Sequence, residues 1–203
     1  MSTSPLAQHV RFILVEPAHP GNIGSAARAI KTMGFRDLRV VKPWVDSYRT
    51  DPEAVAYATS SIDVLEASRS HDSLLEALEG VQFAWAMSGY DREFGAAIEP
   101  VRLVSQKAHD FLAQNQGEIA FVFGCERTGL SNEDVALCQG CAAIPADPES
   151  SSLNLSQAVQ IMAYELHMAL MDSKVTHDGL YDWQNRFEGE KLADKVATEG
   201  FLK

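Results

Sequence analysis

Three times along this chain an apolar run of strand length ends in a turn of small residues that leads toward a helical pattern. Residues 10–15 precede Gly21-Asn22-Ile23-Gly24-Ser25, and residues 119–123 run into Gly124-Cys125-Glu126-Arg127-Thr128-Gly129-Leu130. Residues 142–145 lead toward Ser150-Ser151-Ser152-Leu153-Asn154-Leu155. Short apolar runs bounded by turn residues suit strands buried on both faces. Alternated with helices, they predict an α/β fold, a mostly parallel sheet with helices on both faces. Ligands of such sheets settle beyond the carboxyl ends of the strands, where all three turns would lie. The pattern predicts one composite site.

Between these anchors the periodicity predicts a helix over 22–34. Ile23, Ala26, Ala27, Ile30 and Met33 form its buried stripe, and Gly34 its C-terminal cap. Arg28 and Lys31 fall off that stripe and share an exposed flank. Further strands are expected at 38–41 and 81–87, and helices near 52–59, over 73–78 and from the end of a 92–100 loop to about 116. Ser131 opens a short helix, and 155–172 reads as a long one; the rest of 44–70 gives no assignment. From Lys174 onward polar residues dominate. The chain is therefore expected to divide into a domain over 1–172 and, over 173–203, a linker with the start of a helical extension.

No apolar run nears the ~18 residues of a membrane span, and the N-terminus lacks a signal-peptide pattern. Three cysteines make no disulfide framework, so the expected compartment is the cytoplasm. A net charge of −11 argues against a polyanionic partner, but its distribution is uneven. Arg28, Lys31, Arg36, Arg39 and Lys42 face the single acid Asp37 within one short window. That strip could steer RNA to one face, or be only a solvated helix end.

Several chemistries are weakened by spacing. The Gly21 turn places its second glycine one position too late for a dinucleotide fingerprint, and the next strand ends in Lys42 rather than an acid. No P-loop occurs. Cys138-Gln139-Gly140-Cys141 with Cys125 could give three zinc ligands, but no fourth is evident nearby. The serine cluster at 150–152 could serve as a helix cap, though three serines and Asn154 exceed what one cap needs.

The blocks Asn22-Ile23-Gly24-Ser25-Ala26-Ala27-Arg28-Ala29, Phe123-Gly124-Cys125-Glu126-Arg127-Thr128-Gly129-Leu130 and Ser151-Ser152-Leu153-Asn154-Leu155 resemble the three motifs of SPOUT methyltransferases of the TrmH class. Ala29-Ile30-Lys31-Thr32-Met33-Gly34 and Ala158-Val159-Gln160-Ile161-Met162-Ala163-Tyr164-Glu165 sharpen the likeness to the TrmJ-like subgroup, tRNA 2′-O-methyltransferases acting on nucleotide 32 of the anticodon loop. The resemblance covers about residues 10–171. It implies a C-terminal deep trefoil knot, S-adenosylmethionine as cofactor, tRNA as substrate, and a homodimer whose active sites use both subunits. Without a membrane-length apolar run or a complete metal-ligand set, neither a membrane nor a metal is expected.

Carried onto this chain, the resemblance makes Arg28 the catalytic residue, with Asn22, Glu126 and Asn154 in support. Met87, Ser88, Gly89, Gly124, Ile144, Ser151, Ser152 and Leu153 would hold the cofactor, Gly124 letting backbone approach its adenosine. Met87 and Gly89 depart from the Thr-Ser-Ala common in the first loop. Lys31 and Arg36 are the expected RNA contacts. Relatives continue into a basic tail, whereas residues 172–203 hold seven acids against five bases. The alternatives are a 2′-O-methyltransferase of another tRNA or rRNA nucleotide, or a non-catalytic RNA-binding protein of the same fold; an NADP oxidoreductase is a distant third.

Overall fold

Alternating side chains on β1 (Val10–Val15) face opposite ways, and all six residues are buried. A strand apolar on both sides needs helices above and below it, and the chain supplies them. The computed structural model describes residues 4–89 and 96–171. After β1 come α1 (Pro20–Thr32), β2 (Asp37–Val41), α2 (Pro52–Ala58), α3 (Ile62–Ala67), β3 (Arg69–His71), α4 (Leu74–Ala77) and β4 (Val81–Met87). Then follow β5 (Ile98–Pro100), α5 (Val101–Ala113), β6 (Glu118–Phe123), α6 (Asn132–Ala136), β7 (Gly140–Ala143) and α7 (Leu155–Leu170).

The strands form one seven-stranded sheet in the order β3-β2-β1-β6-β4-β7-β5, with every pairing parallel. Phe12 and Leu14 join α1, α5 and α7 in one core layer, while Ile13 and Val15 join α4 and α6 in the other. The expected α/β sheet covered on both faces is what is seen. Its described elements lie within one compact unit, Ser2–Leu170. Residues 172–203, where the linker and extension were expected, lie outside the described residues.

Four local expectations need correction. Helix α1 starts at Pro20 rather than Asn22, since proline suits the first helical position, where no N–H is needed. The final strand is Gly140–Ala143, because Gly140, Cys141 and Ala142 take the register opposite Trp85, Ala86 and Met87. The end of the expected 92–100 loop holds β5, a three-residue edge strand where Pro100 is tolerated. The unassigned stretch hides α3 and β3; β3, Arg-Ser-His at the other edge, has no apolar alternation to betray it.

The amino ends of the strands are held by charge. Arg11 is buried, yet donates to Asp37 at 3.1 Å, to Glu118 at 2.8 Å and to the carbonyls of Ala77 and Glu79 at 2.6 and 2.9 Å. Burial pushes the Asp37 carboxyl up, but Arg39 first and then Arg11 outweigh it and hold it below its ordinary value. Asp37 therefore adds stability above its unfolded pKa, and this is lost as pH falls through its lower folded pKa. Replacing Arg11 with Met removes its donors from Glu118 and from the Ala77 and Glu79 carbonyls, and leaves Asp37 with Arg39 alone. We expect a loss of about 3 kcal/mol, read as a lower urea midpoint at unchanged slope. An unchanged midpoint would show that the network is not needed.

Candidate functional site

The opposite, carboxyl ends of the strands are open. Parallel pairing of β4, β6 and β7 brings Met87, Phe123 and Ala142 to one edge, so the turns that follow must meet. They enclose a cleft of about 220 Å³. Met87, Ser88 and Gly89 form one wall, and the turn from Gly124 to Leu130 another. Ile144 with Ser151, Ser152 and Leu153 form the third. Phe123, Ala142, Leu155 and Ala158 give it an apolar floor. All eight residues expected to hold a cofactor thus lie around one cavity.

The Gly124 turn is shaped by its own backbone. The Gly129 N–H donates to the Cys125 carbonyl at 2.8 Å, and Gly129 has φ 69°. A Cβ on Gly124 would sit 2.1 Å from the Gly129 carbonyl carbon and 2.2 Å from the Leu130 nitrogen. Besides lining the cleft, Gly124 lets the backbone of its own turn approach. Substitution there would distort the wall rather than fill the cavity. Gly24 has a like role, since a Cβ would lie 2.0 Å from the Ala54 carbonyl oxygen where α1 crosses α2.

Asn22, Glu126 and Asn154 connect the three turns directly. The Glu126 carboxylate accepts from the N–H groups of Ala18 at 2.9 Å and His19 at 3.3 Å, and from the Asn22 amide at 2.8 Å. The Asn22 carbonyl oxygen in turn accepts from the Asn154 amide at 3.0 Å. The Asn154 oxygen remains to cap α7, accepting from the Ser156 N–H at 2.9 Å and its hydroxyl at 2.7 Å. An ionised carboxylate can only accept, so it fixes which way each amide points. Desolvation pushes Glu126 up, but the Ala18 N–H, the Asn22 amide and then its own and the His19 N–H hold it below its ordinary value. The charge of Glu126 thus orders the whole relay.

Ala18 and His19 escaped sequence reading because backbone donors have no side-chain pattern. The only hint was Pro17 and Pro20, which bracket the pair and restrict its backbone.

Arg28 stands apart. It is exposed on α1, does not line the cleft, and has no side-chain hydrogen bond or ion pair among the described residues. The basic strip around it is smaller than its sequence suggested. Arg39 is buried and binds Asp37 through two nitrogens, so it is no surface cation. Lys31 and Arg36 both reach Asp63, at 2.6 and 2.9 Å. Those bonds, led by that from Lys31, hold the Asp63 carboxyl below its ordinary value.

Among the described residues, no three or more His, Cys, Asp or Glu side chains are grouped to hold a metal. Burial pushes the Cys138 thiol up to about 12, a neutral group and a poor ligand at neutral pH. No helix among the described residues is long and apolar enough to cross a membrane.

Residues 9–164 match the SpoU rRNA Methylase family. A Pseudomonas aeruginosa protein named tRNA (cytidine/uridine/adenosine-2′-O-)-methyltransferase TrmJ is 42% identical over 81% of this chain, a match spanning 62% of that relative's own length. The Escherichia coli tRNA (cytidine/uridine-2′-O-)-methyltransferase TrmJ is 38% identical over 98% of this chain and 82% of its own. The crystal structure of a probable methyltransferase from Bordetella pertussis superposes with a TM-score of 0.79 at 44% identity, covering 83% of this chain and 99% of that one.

Proposed function

The chain belongs to the SpoU rRNA Methylase family, and from that premise we propose that it methylates the ribose 2′-hydroxyl of a cytidine or uridine at position 32 of the tRNA anticodon loop, using S-adenosylmethionine. The observation that carries this reading is the Glu126–Asn22–Asn154 relay, which ties the Asn22 turn at the start of α1 to two of the turns that wall the cleft. The names of the relatives supply the acceptor class.

The cleft fits the cofactor in kind. Its apolar floor and the side chains of Met87, Ile144 and Leu153 suit an adenine ring, while Ser88, Ser151 and Ser152 and the turn amides suit polar groups. Gly89 has open space beside its Cα, so its departure from the usual residue leaves the wall unobstructed. The bound cofactor supplies a methyl group already activated by a sulfonium charge. What the protein must add is alignment of the hydroxyl and stabilisation of its developing alkoxide. Arg28 takes that role: a guanidinium holds its proton too tightly to be an effective base, but donates well to an alkoxide and a neighbouring phosphate.

Because Arg28 does not line the cleft of its own chain, the reading includes a homodimer in which it serves the cleft of a second copy. Ile161, Tyr164 and Met168, one stripe of α7 with Tyr164 and Met168 exposed, support such an interface. A C-terminal trefoil knot belongs to the same reading. In its support, β7, the last strand in the chain, lies between β4 and β5 in the sheet. Residues 1–172 are proposed as the catalytic domain and the cytoplasm as its location. Lys31 and Arg36 would contact RNA only by sharing their charge with Asp63.

The test is radiolabelled methyl incorporation into unmodified tRNA, compared with the same tRNA carrying a 2′-deoxy nucleotide at position 32. Incorporation is expected only into the first. Equal labelling would exclude that ribose hydroxyl as the acceptor.

A further inference from the structure

Charge alone gives this surface a weak hold on RNA. Of the five cations between Arg28 and Lys42, one is buried against Asp37 and two converge on Asp63. Of these five, only Arg28 and Lys42 have no ion pair among the described residues. Beside Lys42 stands a large aromatic ring in solvent: Trp44 is 58% exposed.

The position of this ring follows from the sheet. Strands β1 and β2 end in register at Val15 and Val41, and the next residues, Glu16 and Lys42, are both left-handed, at φ 51° and 45°. These adjacent turns bring Pro43 and Trp44 back over the segment leading to α1. There the Trp44 N–H donates to the Pro17 carbonyl at 3.2 Å. Pro17 adjoins Ala18, whose N–H is held by Glu126. Trp44 is thus joined through short backbone links to the carboxylate that orders the cleft.

A second groove, of about 420 Å³, is lined by Glu16, Lys42, Thr128, Gly129 and Leu130 among others. Thr128, Gly129 and Leu130 line both. Since neighbouring strands lie ~5 Å apart, the end of β2 is about 10 Å from that of β6, within reach of a nucleotide next to one seated at the cleft.

Resting on the methyltransferase reading above, we propose that Trp44 is a stacking platform for a nucleobase flanking the methylated nucleotide of single-stranded loop RNA. Glu16 and Glu133 share the groove with Lys42 and disfavour a phosphate there, whereas a ring face accepts any base. The platform is anchored: buried Tyr48 bonds Ser68 at 2.9 Å, and Arg49 donates twice to the Ser68 carbonyl. A ring on an already ordered loop loses little freedom on binding. Trp44 therefore provides affinity that salt does not screen.

The experiment compares wild type, Trp44→Ala and Trp44→Phe with tRNA. Trp44→Ala is expected to raise KM for tRNA about tenfold or more, with kcat and cofactor affinity unchanged, and Phe to recover most of the loss. The slope of log affinity against log salt should stay at its wild-type value, because no phosphate contact is removed. Tryptophan fluorescence should be quenched on adding the anticodon stem-loop, and the Trp44→Phe variant should lose that quench. An unchanged KM, or a loss accompanied by a shallower salt slope, would overturn the platform. Failure of wild type to methylate tRNA would instead sink the underlying reading, which the fluorescence titration distinguishes because it needs no turnover.

Discussion

Arg28→Ala is expected to lower methyl transfer by about a thousandfold while leaving cofactor affinity within error of wild type. The size follows from removing one preorganised donor aimed at a developing oxyanion. The selectivity follows from position, since Arg28 is exposed on α1 and takes no part in the cleft wall. If Arg28 serves a neighbouring subunit, a mixture of two inactive variants should recover activity. Arg28→Ala keeps an intact cleft but lacks the guanidinium. Gly124→Val keeps the guanidinium but distorts the cleft, because its side chain meets the Gly129–Leu130 backbone. A mixed dimer pairs the intact cleft of one with the intact arginine of the other. Activity measured after co-refolding the two, against each alone, reads this directly. No recovery would place Arg28 and its cleft in one chain, and tighter or weaker cofactor binding by Arg28→Ala would place the residue in the cofactor site.

The same positional logic shows what could be read from sequence. The strands β1, β4 and β6 were legible because runs such as Phe121-Val122-Phe123 are buried on both faces, leaving little polar alternation to confuse them. The edge strands were not. Arg69–His71 and Ile98–Pro100 each pair on one side only, so neither needs a buried apolar pattern. Convergence of the turns after β6 and β7 could be inferred from parallel strands, whereas the Gly21–Ser25 turn, expected at the same site, does not line the cleft. Charge was legible only in part, because sequence counts cations but does not show their partners. Arg39 in the basic window is a buried structural residue, and Asp63, which occupies Lys31 and Arg36, lies more than twenty residues from either. The amide relay was invisible for the same reason. Asn22 and Asn154 are 132 residues apart, and only the fold shows that one accepts from the other.

That relay leads to the second large effect. Glu126→Gln preserves shape but replaces one carboxylate oxygen with a donor. The original oxygens face three donors, from Ala18, His19 and Asn22. With an amide there, at least one donor faces another or Asn22 must flip. A flipped Asn22 would aim its amide nitrogen at the Asn154 amide nitrogen, which must then turn its own oxygen away from the α7 cap. One altered atom therefore disturbs the first and third turns together. Each partly buried donor left unsatisfied costs about 1–3 kcal/mol, so cofactor affinity is expected to fall about a hundredfold, with a lower melting temperature. Titration calorimetry and thermal unfolding measure the two. The pH dependence supplies a separate check. The folded pKa of Glu126 is lowered, so its stabilisation is complete above the unfolded value and is lost as pH falls through the folded value. Wild-type cofactor binding should thus be flat through neutral pH and weaken only in acid, below the usual carboxylate range. Glu126→Gln should be weak throughout and lack the acid limb that this carboxylate contributes. A variant that binds cofactor like wild type at neutral pH would show that the turns hold their positions without the charge.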